Sequence, residues 1–150
     1  MKTHLANLAS VEPAPNWGSR TALEDKEERQ LAKAVGIRQF GVNHLTLQPG
    51  SQSARRHWHE EEDEFVYVLS GCVVLRDDNG EIELATGAFV GFPSGNPNAH
   101  HIINRSSEPA ALLVVGTRKV GEERIHYPDD PNPGPFKLVR DQYGHRIDQG

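Results

Sequence analysis

In the stretch His57-Trp58-His59-Glu60-Glu61-Glu62-Asp63-Glu64 two imidazoles stand two residues apart with a carboxylate close behind, and a third imidazole, His100, follows a glycine-rich turn. Alternate residues of an extended strand point to the same side, so His57 and His59 aim at one point and Trp58 faces away. Glu64 opens the run Glu64-Phe65-Val66-Tyr67-Val68-Leu69, whose β-branched and aromatic residues read as a strand, so its carboxylate can return to the same centre. Three imidazoles and a carboxylate form a nitrogen and oxygen donor set that suits iron(II), manganese(II), nickel(II), copper(II) or zinc(II). A structural thiolate zinc site is not indicated. Taken alone, the same residues can also be a solvated His-x-His strand surface followed by an acidic loop.

The wider pattern separates these readings. Gly50 precedes the two histidines, four residues separate His59 from Glu64, and six separate Glu64 from Gly71; a second block runs Gly87, Pro93, Gly95, His100 and Asn104. Together these blocks resemble the two motifs of the cupin superfamily, and in particular its small bacterial single-domain members with a type-2 cupin domain. The stretches His100-His101-Ile102-Ile103-Asn104-Arg105-Ser106 and Val114-Val115-Gly116-Thr117-Arg118 extend the likeness. Two spacings depart from the family pattern: six residues rather than five separate Gly50 from His57, and four rather than two separate Gly95 from His100. The second departure raises the question of whether His100 or His101 faces the interior. Alternation puts His100 with Ile102 and His101 with Ile103, and the interval to Asn104 selects His100 as the inward residue. The resemblance implies one divalent metal, zinc, iron, manganese or nickel, on His57, His59, Glu64 and His100.

These ligands need strands to position them. Strands are expected at about Arg38 to Gln48, Arg56 to His59, Glu64 to Leu69, Cys72 to Arg76, Glu81 to Leu84, Ala88 to Phe92, His100 to Asn104, Ala110 to Thr117 and Glu123 to His126. Asp77-Asp78-Asn79-Gly80 is a hairpin turn, since Asn-Gly readily adopts positive φ. Many short strands with turn signals indicate an all-β fold, and the cupin resemblance makes it a double-stranded β-helix, or jelly-roll, barrel with an N-terminal arm or short helix. Residues 1–37 form the arm, with a helix expected from Thr21 to Ala34 and Trp17 as an anchor; residues 38–127 form the barrel; residues 128–150 form a proline-rich tail packed on it. Along Glu64 to Leu69, Glu64, Val66 and Val68 face inward. Phe65, Tyr67 and Leu69 face outward, and the resemblance implies that a second subunit covers them in a homodimer.

A net charge of −5 over 150 residues gives no electrostatic footprint for nucleic acid, and no apolar run reaches membrane-spanning length. With one cysteine, Cys72, in an apolar strand, and no secretory signal pattern, a cytoplasmic location is expected. The partner is a small molecule. The expected function is that of a metal-dependent enzyme of oxygenase, isomerase, cyclase or lyase type, with its catalytic residues unassigned. The alternatives are a non-catalytic metabolite-binding module and, more weakly, a storage or structural barrel. Arg55 and Arg56, before the first ligand, read either as surface charge or as attractors of an anionic substrate, and His44 as a proton carrier or a packed histidine.

Overall fold

A computed structural model describes residues 4–15 and 25–147, and antiparallel strands dominate it. After a 3-10 turn at Leu8–Ser10 come β1 (Lys26–Gln30), α1 (Leu31–Ala34), β2 (Phe40–Leu47), β3 (Trp58–His59), β4 (Glu64–Ser70) and β5 (Cys72–Asp77). They are followed by β6 (Gly80–Ala85), β7 (Phe89–Phe92), β8 (His101–Ile103), β9 (Ala110–Thr117), β10 (Gly121–His126) and β11 (Phe136–Arg140). One sheet has the order β1-β2-β9-β4-β7, a second β6-β5-β8 and a third β11-β10-β3. The chain crosses repeatedly between sheets, as a jelly roll requires. Gly80 at φ 115° closes the β5–β6 hairpin opposite Asp77, at the expected Asn-Gly position.

Register explains the interior. Leu45, Leu112 and Val68 stand side by side on β2, β9 and β4, as do Asn43, Val114 and Val66, and then Gly41, Gly116 and Glu64. Directly opposed residues share a face, so each trio is one layer of the barrel. The lower layers join Val73 and Leu75 of β5 and Ile102 of β8 in the core, with Leu47, Val68 and Leu112 fully buried. The last layer is two glycines and a carboxylate. There the apolar interior gives way to a polar mouth. His44, opposite Leu113, falls on the outward face.

Two segments differ from expectation. The helix foreseen from Thr21 to Ala34 is confined to Leu31–Ala34; Lys26–Gln30 is instead a strand paired with β2, from Lys26 opposite Leu47 to Gln30 opposite Asn43. Helix propensity is a weak preference, and the open edge of β2 offers this segment a full ladder of backbone hydrogen bonds. Residues 21–24 and Trp17 lie outside the described residues. The tail is more regular than foreseen, because β11 pairs with β10 and buries Leu138. Arg55 pairs with Asp130 and Arg56 with Asp129, tying the proline-rich segment to the barrel. Among the described residues, no helix is long and apolar enough to cross a membrane.

Leu112 lies on the central strand with no exposed surface. Leu112→Ala should lower the unfolding free energy in urea by about 2–5 kcal/mol. Leu5→Ala, at a side chain 90% exposed, should change it by less than about 0.5 kcal/mol. Equal losses at the two positions would contradict this account of the core.

Candidate metal centre

An isolated antiparallel bridge joins the two sequence blocks: His57 and His100 exchange backbone hydrogen bonds of 3.1 and 2.9 Å, and their ring centroids lie 4.8 Å apart. His59 is held in β3 beside Ile125 of β10, its ring centroid 5.1 Å from that of His57. Trp58 faces away, as alternation requires, and stacks on His126 at 4.0 Å. Glu64 enters from the first position of β4. One donor atom from each of His57, His59 and Glu64 lies within 4.8 Å of the others. His100 stands outside that trio, but its Nε2 is 2.7 Å from Glu64 Oε2 and its ring lies flat on Phe92 at 3.4 Å. His101 turns to the other side, where its Nδ1 donates to the Ala54 carbonyl at 3.0 Å. The structure therefore brings together His57, His59, Glu64 and His100, and leaves out His101 and His44. Arg55 and Arg56 are also outside, each taken up by aspartates at the surface.

Tautomer and charge follow from the partners. The Arg55 carbonyl, 2.8 Å from His57 Nδ1, can only accept, so Nδ1 carries the proton and Nε2 keeps its lone pair, 3.8 Å from Glu64 Oε2. Burial lowers His57; burial and then the His57 charge hold His59 at about 4. Both are neutral at pH 7, the form that binds a cation. Burial would raise Glu64, but the His100 hydrogen bond and the surrounding imidazoles outweigh it and hold the carboxyl at about 2. The Nδ1 atoms of His59 and His100 are buried without a hydrogen-bond partner. Neutral His57 and His59 beside an ionised carboxylate fit a divalent ion that takes nitrogen and oxygen donors, whereas His100 Nε2 donates to Glu64 and must release that proton to serve as a third nitrogen ligand. Cys72 is elsewhere, on β5, its thiol donating to Glu83.

Residues matching the cupin domain span 43–116. A crystal structure from Silicibacter pomeroyi, described as a sugar phosphate isomerase from a cupin superfamily, is 37% identical, with 91% of this chain and 86% of that chain covered and a TM-score of 0.80. The chain belongs to the cupin superfamily. It is also similar to the tetracenomycin polyketide synthase protein TcmJ of Streptomyces glaucescens, 26% identical over 129 residues, 85% of this chain and 81% of that one. The polyketide cyclase RemF from Streptomyces resistomycificus shares the fold, at 22% identity and a TM-score of 0.63 over 78% of this chain and 79% of that one.

Around the cupin motifs lie further polar groups, of which Lys26, Glu28, Glu123 and Arg140 come from strands beyond the matched span. A cavity of about 230 Å³ runs from His57, Glu64 and His100 into the barrel, where Lys26 and Glu28 of β1 and Asn43 of β2 line it. Asn43 Oδ1 is buried there without a hydrogen-bond partner. Behind His59, fully buried Glu123 of β10 accepts the Glu61 N–H at 3.0 Å and stands 3.6 Å from His59 Nδ1. Glu62, also buried, accepts the Lys119 N–H at 2.7 Å and the Arg140 guanidinium at 3.2 Å. Sequence reading missed all of these. Lys26 and Glu28 sit in a run with helical composition, and the one signal at Glu123 is that it shares a strand face with apolar Ile125.

Burial and then the neighbouring Glu62 push Glu123 up to about 7. A carboxyl raised in the folded state contributes stability that is complete below its ordinary 4.5 and is lost as the pH rises through about 7. In urea titrations of metal-free protein, wild type should lose stability relative to Glu123→Gln across that window. Parallel pH profiles for the two proteins would contradict the assignment.

Proposed function

We propose that this cupin is a metal-dependent isomerase of small phosphorylated sugars, with His57, His59, Glu64 and His100 holding one divalent ion of zinc, iron, manganese or nickel. The observation that carries the reading is the cavity in which Glu28 and Lys26 face His57, Glu64 and His100. Its 230 Å³ falls below the usual range for ligand pockets, about 300–1,000 Å³, and suits a compact metabolite better than a fused polyketide. The similarity to the sugar phosphate isomerase from Silicibacter pomeroyi supports the same substrate class.

The chemistry asked of the chain is redox-neutral. A bound divalent ion supplies Lewis acidity to the substrate carbonyl. Glu28 takes the proton from the carbon beside that carbonyl, and the C–H electron pair becomes the double bond of an enediol. Glu28 then returns the proton to the former carbonyl carbon, while the hydroxyl proton passes from one oxygen to the other. Lys26, two residues away on the same strand face, places an ammonium near the oxygens that gain negative charge. The apolar wall of Val66, Leu112 and Val114 keeps water from the enediol.

We infer further that two copies associate through the outward face of β4 and β7. Phe89 is 67% exposed there, its ring centroid 5.8 Å from that of Phe65 and 6.4 Å from that of Tyr67. A contiguous apolar patch of this kind marks an association surface.

Metal-stripped protein reloaded with each candidate ion and incubated in D2O with a panel of aldose and ketose phosphates should interconvert them and incorporate deuterium beside the carbonyl in the fraction of turnovers in which the proton held on Glu28 exchanges before it is returned. Glu28→Gln should lower kcat by roughly 10²–10⁴-fold with metal content unchanged. Absence of both interconversion and deuterium uptake with every ion would overturn the isomerase reading. Sedimentation should give a dimer for wild type and a folded monomer for Phe89→Glu; a monomeric wild type at micromolar concentration would contradict the association.

A further inference from the structure

A sugar phosphate brings a dianion as well as a carbonyl, and the cations near the barrel mouth differ in how far their charge is already met. Arg140 is paired with Glu62, Lys119 with Glu61, Arg55 with Asp130 and Arg56 with Asp129. Lys26 donates to the Ser53 carbonyl. Arg118 is different. Among the described residues its guanidinium makes no hydrogen bond and no ion pair, and a second positive charge, Arg140, is close enough to oppose its own. Burial is the main cause that lowers its affinity for the proton, Arg140 adds to it, and the carboxylates that oppose them, Glu62 and Glu28, act only across a distance.

Its position is also built. A Cβ added at Gly41 would come within 2.9 Å of Arg118 Nε and 3.0 Å of Nη2, so the guanidinium lies flat on the inward backbone of β2 in space that only glycine leaves open. From the other side Gly144, at φ 79°, packs against the stem, with its Cβ position 3.3 Å from Arg118 Cδ. A long side chain held from two sides has little conformational freedom left to lose when a ligand binds. Arg118 also lines a groove together with Arg38, Gln39, Gln142 and Tyr143. Arg38 there is stacked over the Tyr143 ring at 5.3 Å. Gly41, Gly116 and Glu64 form one cross-strand layer, which puts the guanidinium about two strand spacings, roughly 10 Å, from the Glu64 backbone on the same face.

We propose that Arg118, clamped between Gly41 and Gly144, is the anion-binding residue of this cupin and grips the phosphate of its substrate while the carbonyl end reaches the His57, His59, Glu64 and His100 cluster. This assignment rests on the sugar phosphate reading. A planar, fully charged fork suits the bidentate recognition of a phosphate monoester, and a phosphate supplies the negative charge that the protein itself withholds from Arg118.

The test uses metal-loaded protein and inorganic phosphate as the probe, followed by titration calorimetry. Wild type should show saturable binding. Arg118→Gln should weaken it by at least about tenfold, the size expected for hydrogen bonds to a charged group. Gly41→Ala, which keeps the charge but displaces the guanidinium, should weaken it similarly, and Arg118→Lys should restore part of it. Metal content and circular dichroism of all variants should match wild type. No saturable binding by wild type, retention of affinity in Arg118→Gln, or loss only in Lys26→Met would each overturn the assignment. If phosphate binding follows Arg118 while no sugar phosphate is turned over, the anion site stands and the isomerase reading falls.

Discussion

The whole arrangement depends on one constraint: imidazoles and carboxylates can converge inside a small barrel only if the strands that carry them are locked in register. A slip of one residue in a strand turns every side chain to the opposite face. Here the lock is the apolar stack beneath the site, in which Leu45, Leu112 and Val68 fill one layer and Asn43, Val114 and Val66 the next. Glu64 inherits its direction from Val66 and Val68, and His100 from Ile102. The His57 to His100 bridge then joins two parts of the chain far apart in sequence at the level where the core ends.

Above that level the barrel gives up apolar packing for charge. Gly41 and Gly116 remove side chains where the interior would otherwise be filled, and Arg118 occupies the space over Gly41. Glu62 and Glu123 are buried behind His59, which is costly unless their oxygens are taken up by N–H donors, as those of Glu61, Lys119 and Arg140 do. On the cavity side Lys26 and Glu28 stand opposite Leu47 and Leu45, so polar groups also reach down one side of the apolar layers, with Asn43 above them.

Much of this was legible in the sequence because period-two alternation survives wherever one strand face is apolar. His57 against Trp58, Glu64 against Phe65 and His100 against His101 were all assigned to their observed sides on that basis. The additions at the two ends of the chain were not. Lys26-Glu27-Glu28-Arg29-Gln30 has no apolar face, because its inward side borders the cavity, so alternation carried no signal and helical composition prevailed. Glu123, Arg140 and Arg118 depend on contacts with Glu61, with Glu62 and with Gly41 and Gly144 respectively, all remote in sequence, which no local pattern encodes. Arg55 and Arg56 look like attractors for an anion when read beside His57. Asp129 and Asp130, more than seventy positions away, neutralise them.

The central claim is that four side chains act together on one ion, and elemental analysis of protein purified without added metal tests it most directly. Wild type should carry close to one equivalent of a single divalent transition metal. His59→Ala should lose most of it, and His101→Ala, one position from His100 but facing the other way, should keep it. Equal metal contents in the two variants, or a wild type that neither carries nor takes up a divalent ion, would contradict the account.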